Sequence, residues 1–212
     1  MNRLLGLPGV LLLFCGMPAP GQVIEFESNG LKYQTLSRSG VTVMFAHLPN
    51  HIHEYSILQV SVSNGSPGPY NIRPEDFSYE FSAGGSVQAV AAKAVISMLM
   101  QKGSGADVVK LITAYEAGLY GNPHFRSTNG YESRRQAALG WNSSKIKAAA
   151  AASALALVQT KLAPSESTDG AIFFANEGKP LAGGRLVVRT NTDTFQFNPE
   201  APASAGNHSG SW

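Results

Sequence analysis

Three of the five histidines in the 212-residue sequence, His47, His51 and His53, fall within one short segment. In an extended segment alternate side chains share a face, so His51 and His53 could hold one metal ion between them. Imidazole is a common ligand of zinc and copper, and His47 or Glu54 could supply a third ligand. A Pro-Asn pair inside the segment favours a turn instead, in which the imidazoles are simply solvated. A metal site, a metallohydrolase centre and an ordinary exposed loop all remain open.

A second candidate site lies between two predicted helices, where aromatic and arginine side chains mix with short polar ones. Such residues are enriched at binding surfaces. The alternative is a connector whose aromatic rings pack on the helices. The predicted binding surface comprises Tyr120, His124, Phe125, Arg126 and Tyr131.

Other chemical signatures do not occur in the sequence. There is no G-x-S-x-G nucleophile elbow, and Gly183-Gly184-Arg185 lacks the Lys-Ser/Thr pair of a phosphate loop. The formal net charge is only +2 and no concentrated basic run occurs, which argues against nucleic-acid binding. We therefore predict a protein that is not an enzyme, with no nucleic-acid partner and no cofactor other than zinc or copper.

The first 21 residues have the three-part layout of a secretory signal peptide. A short positive start precedes an apolar run over residues 4–14, and Ala19 and Gly21 are small residues at −3 and −1 of a cleavage before Gln22. The apolar run is shorter than the about 20 residues that span a bilayer. We therefore predict cleavage of residues 1–21 and export to the periplasm or the extracellular space.

Cys15 is the only cysteine. The cysteine leaves lipidation open as an alternative. A lipoprotein signal needs a small residue directly before its cysteine, however, and Phe14 at this position argues against it. Attachment to a membrane would come only through an uncleaved signal or this lipid. Cleavage would leave a protein without disulfides, which must be held by its core and fits a bacterial envelope.

Apolar residues alternate near both ends of the remaining chain, as in half-buried β-strands. In the segment around Leu58, one face is predicted to be buried and the other, with Gln59, to be solvated. Strands are predicted at 31–36, 41–46, 55–62, 76–82, 171–174, 185–189 and 194–197. The predicted core is Leu58, Val60, Val62, Phe77, Tyr79, Ile172, Phe174, Leu186, Val188, Phe195 and Phe197.

The middle of the chain changes to a spacing of three and four, which is typical of helices. One helical face runs from Val87 to Leu99. Ser104 and Asp107 form the capping box of a second helix. An Ala-rich helical stretch extends from Tyr131 to about Leu157, with a break near Gly140.

These patterns predict a fold that is mainly β with an α insertion. One antiparallel β-sandwich domain spans residues 22–198, a two- to three-helix block is inserted at about 86–157, and a disordered tail covers 199–212. Because the helices form one block and do not alternate with strands, the pattern argues against a doubly wound parallel sheet.

Two segments carry a family resemblance. Residues 55–64 followed by 69–77, which end in Pro74-Glu75-Asp76-Phe77, form a strand, turn and strand; residues 162–174 form a later strand pair, with Ser165 where glycine is common. Both resemble immunoglobulin-like domains of exported bacterial proteins. The resemblance implies an immunoglobulin-like antiparallel β-sandwich and an exported location. Those domains are largely of unknown function, so it implies no chemistry.

The sequence therefore predicts an exported, non-enzymatic binding or scaffolding protein of the bacterial envelope, with an envelope protein as partner. The alternative is a metal-binding protein or metallohydrolase that uses His47, His51 and His53. A third interpretation is a subunit of a surface assembly, in which an unpaired sheet edge accepts a partner strand.

Overall fold

The computed structural model describes residues 21–122 and 129–199. Nearly all of the predicted signal peptide (1–21) and of the predicted tail (199–212) lies outside the described residues. Among the described residues, no helix is both long and apolar enough to cross a membrane.

The described residues form eleven strands and four helices, and all four helices lie together between two groups of strands. In chain order these are β1 (Ile24–Ser28), β2 (Leu31–Arg38), β3 (Val41–His47), β4 (Tyr55–Asn64), β5 (Tyr70–Ile72), β6 (Phe77–Phe81), β7 (Ser86–Val90), α1 (Ala92–Lys102), α2 (Gly105–Gly121), α3 (Tyr131–Leu139), α4 (Ser144–Leu155), β8 (Thr160–Leu162), β9 (Ser167–Ala175), β10 (Gly184–Arg189) and β11 (Thr194–Gln196).

Nine of the strands form one antiparallel sheet in the order β1-β2-β3-β4-β9-β7-β6-β10-β11, and β5 pairs with β8 in a small second sheet. Strand β7 joins the two halves of the large sheet, because it pairs with β6 on one side and with β9 on the other. The sheet is curled, and side chains from both halves meet in one inner core. The prediction of a mainly β fold with a helical insertion is thus confirmed.

The inner core confirms the predicted core in full. All eleven predicted residues are buried, and all belong to this one cluster. Phe45 of β3 meets Phe197, which follows β11, with ring centroids 4.8 Å apart in an edge-on contact. Because each strand faces this core with every second residue, alternation alone identified it.

Within the described residues, side chains close the curl, and no further strand pairing does so. Gln34 of β2 donates a hydrogen bond from Nε2 to the Asn198 carbonyl (3.4 Å) and accepts one from the Asn198 backbone N–H at Oε1 (3.1 Å). The amide thus bonds both backbone groups of one residue, as a neighbouring strand would. The Arg38 guanidinium also donates to the Thr194 carbonyl. The second strand and the last strand are therefore tied together.

The four helices cover part of the opposite face of β1–β4 and β9. Their buried side chains, among them Leu111, Tyr115 and Leu155, form an outer core with Tyr33 and Phe173 of the sheet. The Ala-rich helix α4 contacts the other three helices. Five of its six alanines are buried, and their small side chains allow the close helix packing that an internal helix requires.

Three expectations need correction. Val87 and Val90 lie in strand β7 and not on the first helical face, because the backbone of this segment pairs with β6 and β9. The helical block therefore covers 92–155 and has four helices. Gln59 is fully buried and not solvated, because the helices cover its face of β4.

Candidate functional site

The His47–His53 segment leaves β3 and turns back into β4. The ring of His47 lies between Phe45 and Tyr79, with edge-on contacts at centroid distances of 5.7 and 6.0 Å. His51 is exposed and lies beside Gly178, in the turn after β9. His47 and His51 line the same depression, of about 230 Å³.

His53 points away from that depression, toward the N-terminus of α2. Its backbone is left-handed (φ +51°), so the extended geometry on which the metal prediction depended does not hold there. Its Nε2 lies 3.3 Å from Oδ2 of Asp107. Among residues 21–122 and 129–199, no three His, Cys, Asp or Glu side chains converge to hold a metal ion. The three predicted ligands are therefore split between two environments.

Asp107 and Ser104 form the predicted capping box of α2. The Ser104 backbone N–H and hydroxyl donate to Asp107 Oδ2 (2.9 and 2.8 Å), and the Asp107 N–H donates to Ser104 Oγ (3.3 Å). Burial tends to raise the pKa of the Asp107 carboxyl, but hydrogen bonds from Ser104 and His53 outweigh it and hold this pKa below its ordinary value. The N-terminus of α2 is thus anchored to the histidine segment.

The predicted binding surface divides as well. Tyr120 is 62% exposed, but Tyr131 is only 1% exposed and belongs to the outer core. Its ring packs on Tyr115 at 4.9 Å, and its hydroxyl donates to Glu116 (3.1 Å). Tyr131 therefore has a packing role, as in the connector alternative. His124, Phe125 and Arg126 lie outside the described residues.

The C-terminus of α2 is anchored by side chains of the sheet. The last carbonyls of a helix have no partner within it. Here the Tyr33 hydroxyl donates to the Gly118 carbonyl (3.2 Å), and Ser28 Oγ donates to the Gly121 carbonyl (2.7 Å). The Asn29 amide donates to the Ala117 carbonyl (3.1 Å). These bonds fix where α2 ends above the sheet.

The buried side chain of Gln59, in β4, bonds to α2 ahead of its C-terminal end. Gln59 Nε2 donates to the Tyr115 carbonyl (3.2 Å), and the Tyr115 hydroxyl donates to Asp169 of β9. Burial raises the pKa of Tyr115, and the Asp169 carboxylate raises it further. Tyr115 therefore stays protonated and serves as a hydrogen-bond donor between helix and sheet.

Two neighbouring rows of side chains run across β1–β4 on the helix-facing side of the sheet. The pairing register defines a covered row of Phe26, Tyr33, Ala46 and Gln59, and an open row of Ile24, Thr35, Met44 and Ser61. Helix α2 bonds to the covered row. The open row lies beyond it and lines a depression of about 490 Å³ together with Phe26, Thr42 and Ser63.

This depression has the size and lining of a binding site. Ligand pockets usually measure about 300 to 1,000 Å³ and are mostly apolar with a few polar groups. The described residues of its walls have apolar or hydroxyl side chains, and none of these residues is charged. It borders β1, and no strand of the described chain pairs with the outer edge of β1. The arrangement can accept an uncharged group beside a free strand edge.

Sequence reasoning missed this surface because β1 was not predicted as a strand. The signal was present, since Ile24 and Phe26 alternate with Glu25 and Glu27. The run is short and follows directly on the predicted cleavage site.

Comparisons with models of protein families, with curated proteins and with solved structures found no match to this chain.

Proposed function

We propose that this chain is an exported, non-enzymatic binding or scaffolding protein of the bacterial envelope, and that it binds an envelope protein at the open row and the β1 edge. The observation that carries the proposal is a depression whose described lining residues carry no charge, beside the outer edge of β1, with which no described strand pairs. Ile24, at the border of both, is 61% exposed. An exposed apolar side chain beside a concave apolar surface is typical of an interaction site.

Export is supported by the signal-peptide layout of residues 1–21 and by a fold that needs no cysteine. The resemblance to immunoglobulin-like domains of exported bacterial proteins belongs to the same proposal. The curled antiparallel sheet, whose halves enclose one core, is compatible with an immunoglobulin-like β-sandwich.

The compartment is tested by expressing the full chain in a bacterium with a C-terminal tag. We expect the tagged protein in the periplasm or medium, with Gln22 as its first residue by mass spectrometry. The control is Leu11→Arg/Leu12→Arg, which breaks the apolar run and should retain the precursor in the cytoplasm. An intact wild-type precursor in the cytoplasm would overturn export. If mass spectrometry instead finds a lipid on the wild-type protein that is absent from Cys15→Ser, the protein is a lipoprotein anchored at Cys15 and is not cleaved before Gln22.

The binding surface is tested with the purified mature protein, residues 22–212, as bait for solubilised envelope proteins. Ile24→Asp places a charge at the border of the depression. Val109→Asp is the matched control, because Val109 is 63% exposed on α2. We expect Ile24→Asp to lose a partner that Val109→Asp retains, with both variants folded by circular dichroism. Equal capture by both variants would contradict binding at this surface.

The metal-binding alternative keeps one supporting observation, since His47 and His51 line one depression. Zinc or copper held there would need a ligand other than His53. This alternative stays a prediction and is tested by metal titration, as set out in the Discussion.

A further inference from the structure

We propose that the partner supplies an extended segment in which apolar and basic residues alternate, and that this segment pairs with β1 as a further strand of the sheet. The inference deepens the proposed binding function and rests on it. It concerns the chemistry of the partner, which is set by the two faces of one edge strand.

Among the residues that the structure describes, no strand pairs with the outer edge of β1. β1 is the first strand in the sheet order, and all five of its residues pair with β2 on its inner side. The backbone N–H and C=O groups of an edge strand that point outward form a template for another strand. A peptide that adds to such an edge gains affinity from backbone hydrogen bonds and specificity from alternate side chains.

One face of β1 selects apolar residues. Ile24 and Phe26 share this face and line the depression. The ring of Phe26 stacks on Tyr33 with centroids 5.1 Å apart and planes only 8° from parallel, which holds it in place. Every second side chain of an added strand would lie beside these residues, where none of the described lining residues carries a charge to receive a basic side chain.

The other face of β1 selects basic residues. Glu25 and Glu27 are both exposed and lie on this face. Glu25 accepts a hydrogen bond from the Asn198 amide (3.0 Å), and Glu27 stands opposite Lys32 in the register. Within the described part of the chain, neither carboxylate forms an ion pair. Oppositely charged residues directly across two strands stabilise the pairing.

The same charges disfavour a second copy of this chain as the partner. If two β1 strands paired antiparallel about Phe26, Glu25 of each would stand opposite Glu27 of the other. Like charges directly opposite each other destabilise a strand pair. Carboxylates on an edge strand are a known protection against self-association. The edge therefore rejects its own sequence and favours a basic one.

The test uses blocked synthetic peptides and the mature protein, with binding measured by fluorescence anisotropy of labelled peptide. The probe is a seven-residue peptide that alternates valine and lysine. The first control alternates valine and glutamate, and the second has the probe composition with its valines and lysines in two separate blocks. The third carries N-methyl groups on alternate residues, which remove the backbone donors of one edge.

We expect saturable binding of the probe, at least about tenfold tighter than that of each of the three controls. The glutamate peptide reverses two opposite-charge pairs, the block peptide loses the alternation of apolar and basic residues, and the N-methylated peptide loses strand hydrogen bonds. Glu25→Lys/Glu27→Lys should reverse the preference toward the valine-glutamate peptide. Glu75→Lys/Glu132→Lys, which changes the same net charge at two exposed sites elsewhere, should leave it unchanged. Equal binding of probe, block and N-methylated peptides would overturn strand addition.

The two proposals fail separately. If the peptides do not bind, but Ile24→Asp still loses the envelope partner, the strand inference is wrong and the binding surface stands. If dimers appear in sedimentation and are lost in Ile24→Asp, a second copy is the occupant and the inference is overturned. If neither peptides nor the partner depend on this surface, both proposals are wrong.

Discussion

The covered row and the open row lie side by side on the same four strands, yet their side chains differ in kind. The covered row holds Tyr33 and Gln59, long side chains that reach carbonyls of α2. The open row holds Thr35 and Ser61, whose short hydroxyls water can satisfy. Most buried polar side chains have a hydrogen-bond partner, and in the covered row the side chains of Tyr33 and Gln59 are long enough to reach theirs. The chemistry of a row thus indicates what lies above it.

The largest effect should separate the two rows directly. Tyr33→Ala removes a buried ring that stacks on Phe26 and bonds to α2, and we expect a loss of roughly 3 to 5 kcal/mol in unfolding free energy. Thr35→Ala, the control in the open row, should cost less than about 1 kcal/mol. Urea unfolding followed by circular dichroism measures both. Similar losses for the two variants would remove the distinction between the rows.

The next effect concerns how closely α2 approaches the covered row. A Cβ at Gly118 would lie 1.7 Å from Gln59 Oε1. Gln59 is fully buried and cannot swing into water, so we expect Gly118→Ala to destabilise by about 1 to 3 kcal/mol through overpacking. Gly105→Ala is the control, because a Cβ there meets nothing within 4 Å. It should be neutral or slightly stabilising, and thermal unfolding compares the two glycines.

A smaller effect is expected at the other end of α2. Because hydrogen bonds depress the pKa of Asp107, its contribution to stability is present above the unfolded pKa of about 3.9 and is lost as the pH falls through the folded value. Asp107→Asn should therefore cost about 1 kcal/mol at pH 7 and much less at pH 2.5. Urea unfolding at both pH values measures this difference.

A double-mutant cycle with Ser104→Ala provides the control for Asp107→Asn. The two losses should be less than additive, since both variants break the same capping box. A loss that is independent of pH, or additive with Ser104→Ala, would show that the carboxylate does not act through the cap.

The smallest effect is expected from metal ions. Because His53 lies against Asp107 and not with His47 and His51, we expect zinc or copper to leave the thermal unfolding of the mature protein unchanged. A stoichiometric site at 100-fold its Kd would add about 2.7 kcal/mol. Stabilisation that is lost in His47→Ala/His51→Ala and retained in His53→Ala would establish a metal site without the third predicted ligand.

The sequence was informative wherever one residue pattern decided the structure. The inner core followed from alternation, because residues such as Leu58 and Phe174 face the same layer whatever lies on the other side. The capping box at Ser104 followed from local chemistry. The helical stripe from Val87 failed because Val87 and Val90 have helical spacing but lie in β7, where pairing with β6 and β9 places them on opposite faces, Val87 against the inner core and Val90 against the outer core.

The candidate sites depended on long-range contacts and were predicted less well. His51 and His53 would share a face in a strand, but the left-handed backbone at His53 depends on the turn into β4. Tyr131 was predicted to lie at a surface because its segment has the composition of a binding surface, whereas its burial depends on contact with Tyr115 of another helix. The depression beside β1 exists because the helices leave the open row uncovered, and no local pattern in β1 encodes where the helices lie.

The bond between Gln34 and Asn198 joins residues 164 positions apart, and this separation has a consequence for the order of folding. A chain made from its N-terminus has β2 long before the segment that closes onto it exists. Contacts so distant in sequence form late and slow the search for the native state. If the chain is exported as we propose, late closure would leave the newly made polypeptide open until its C-terminal strands are present.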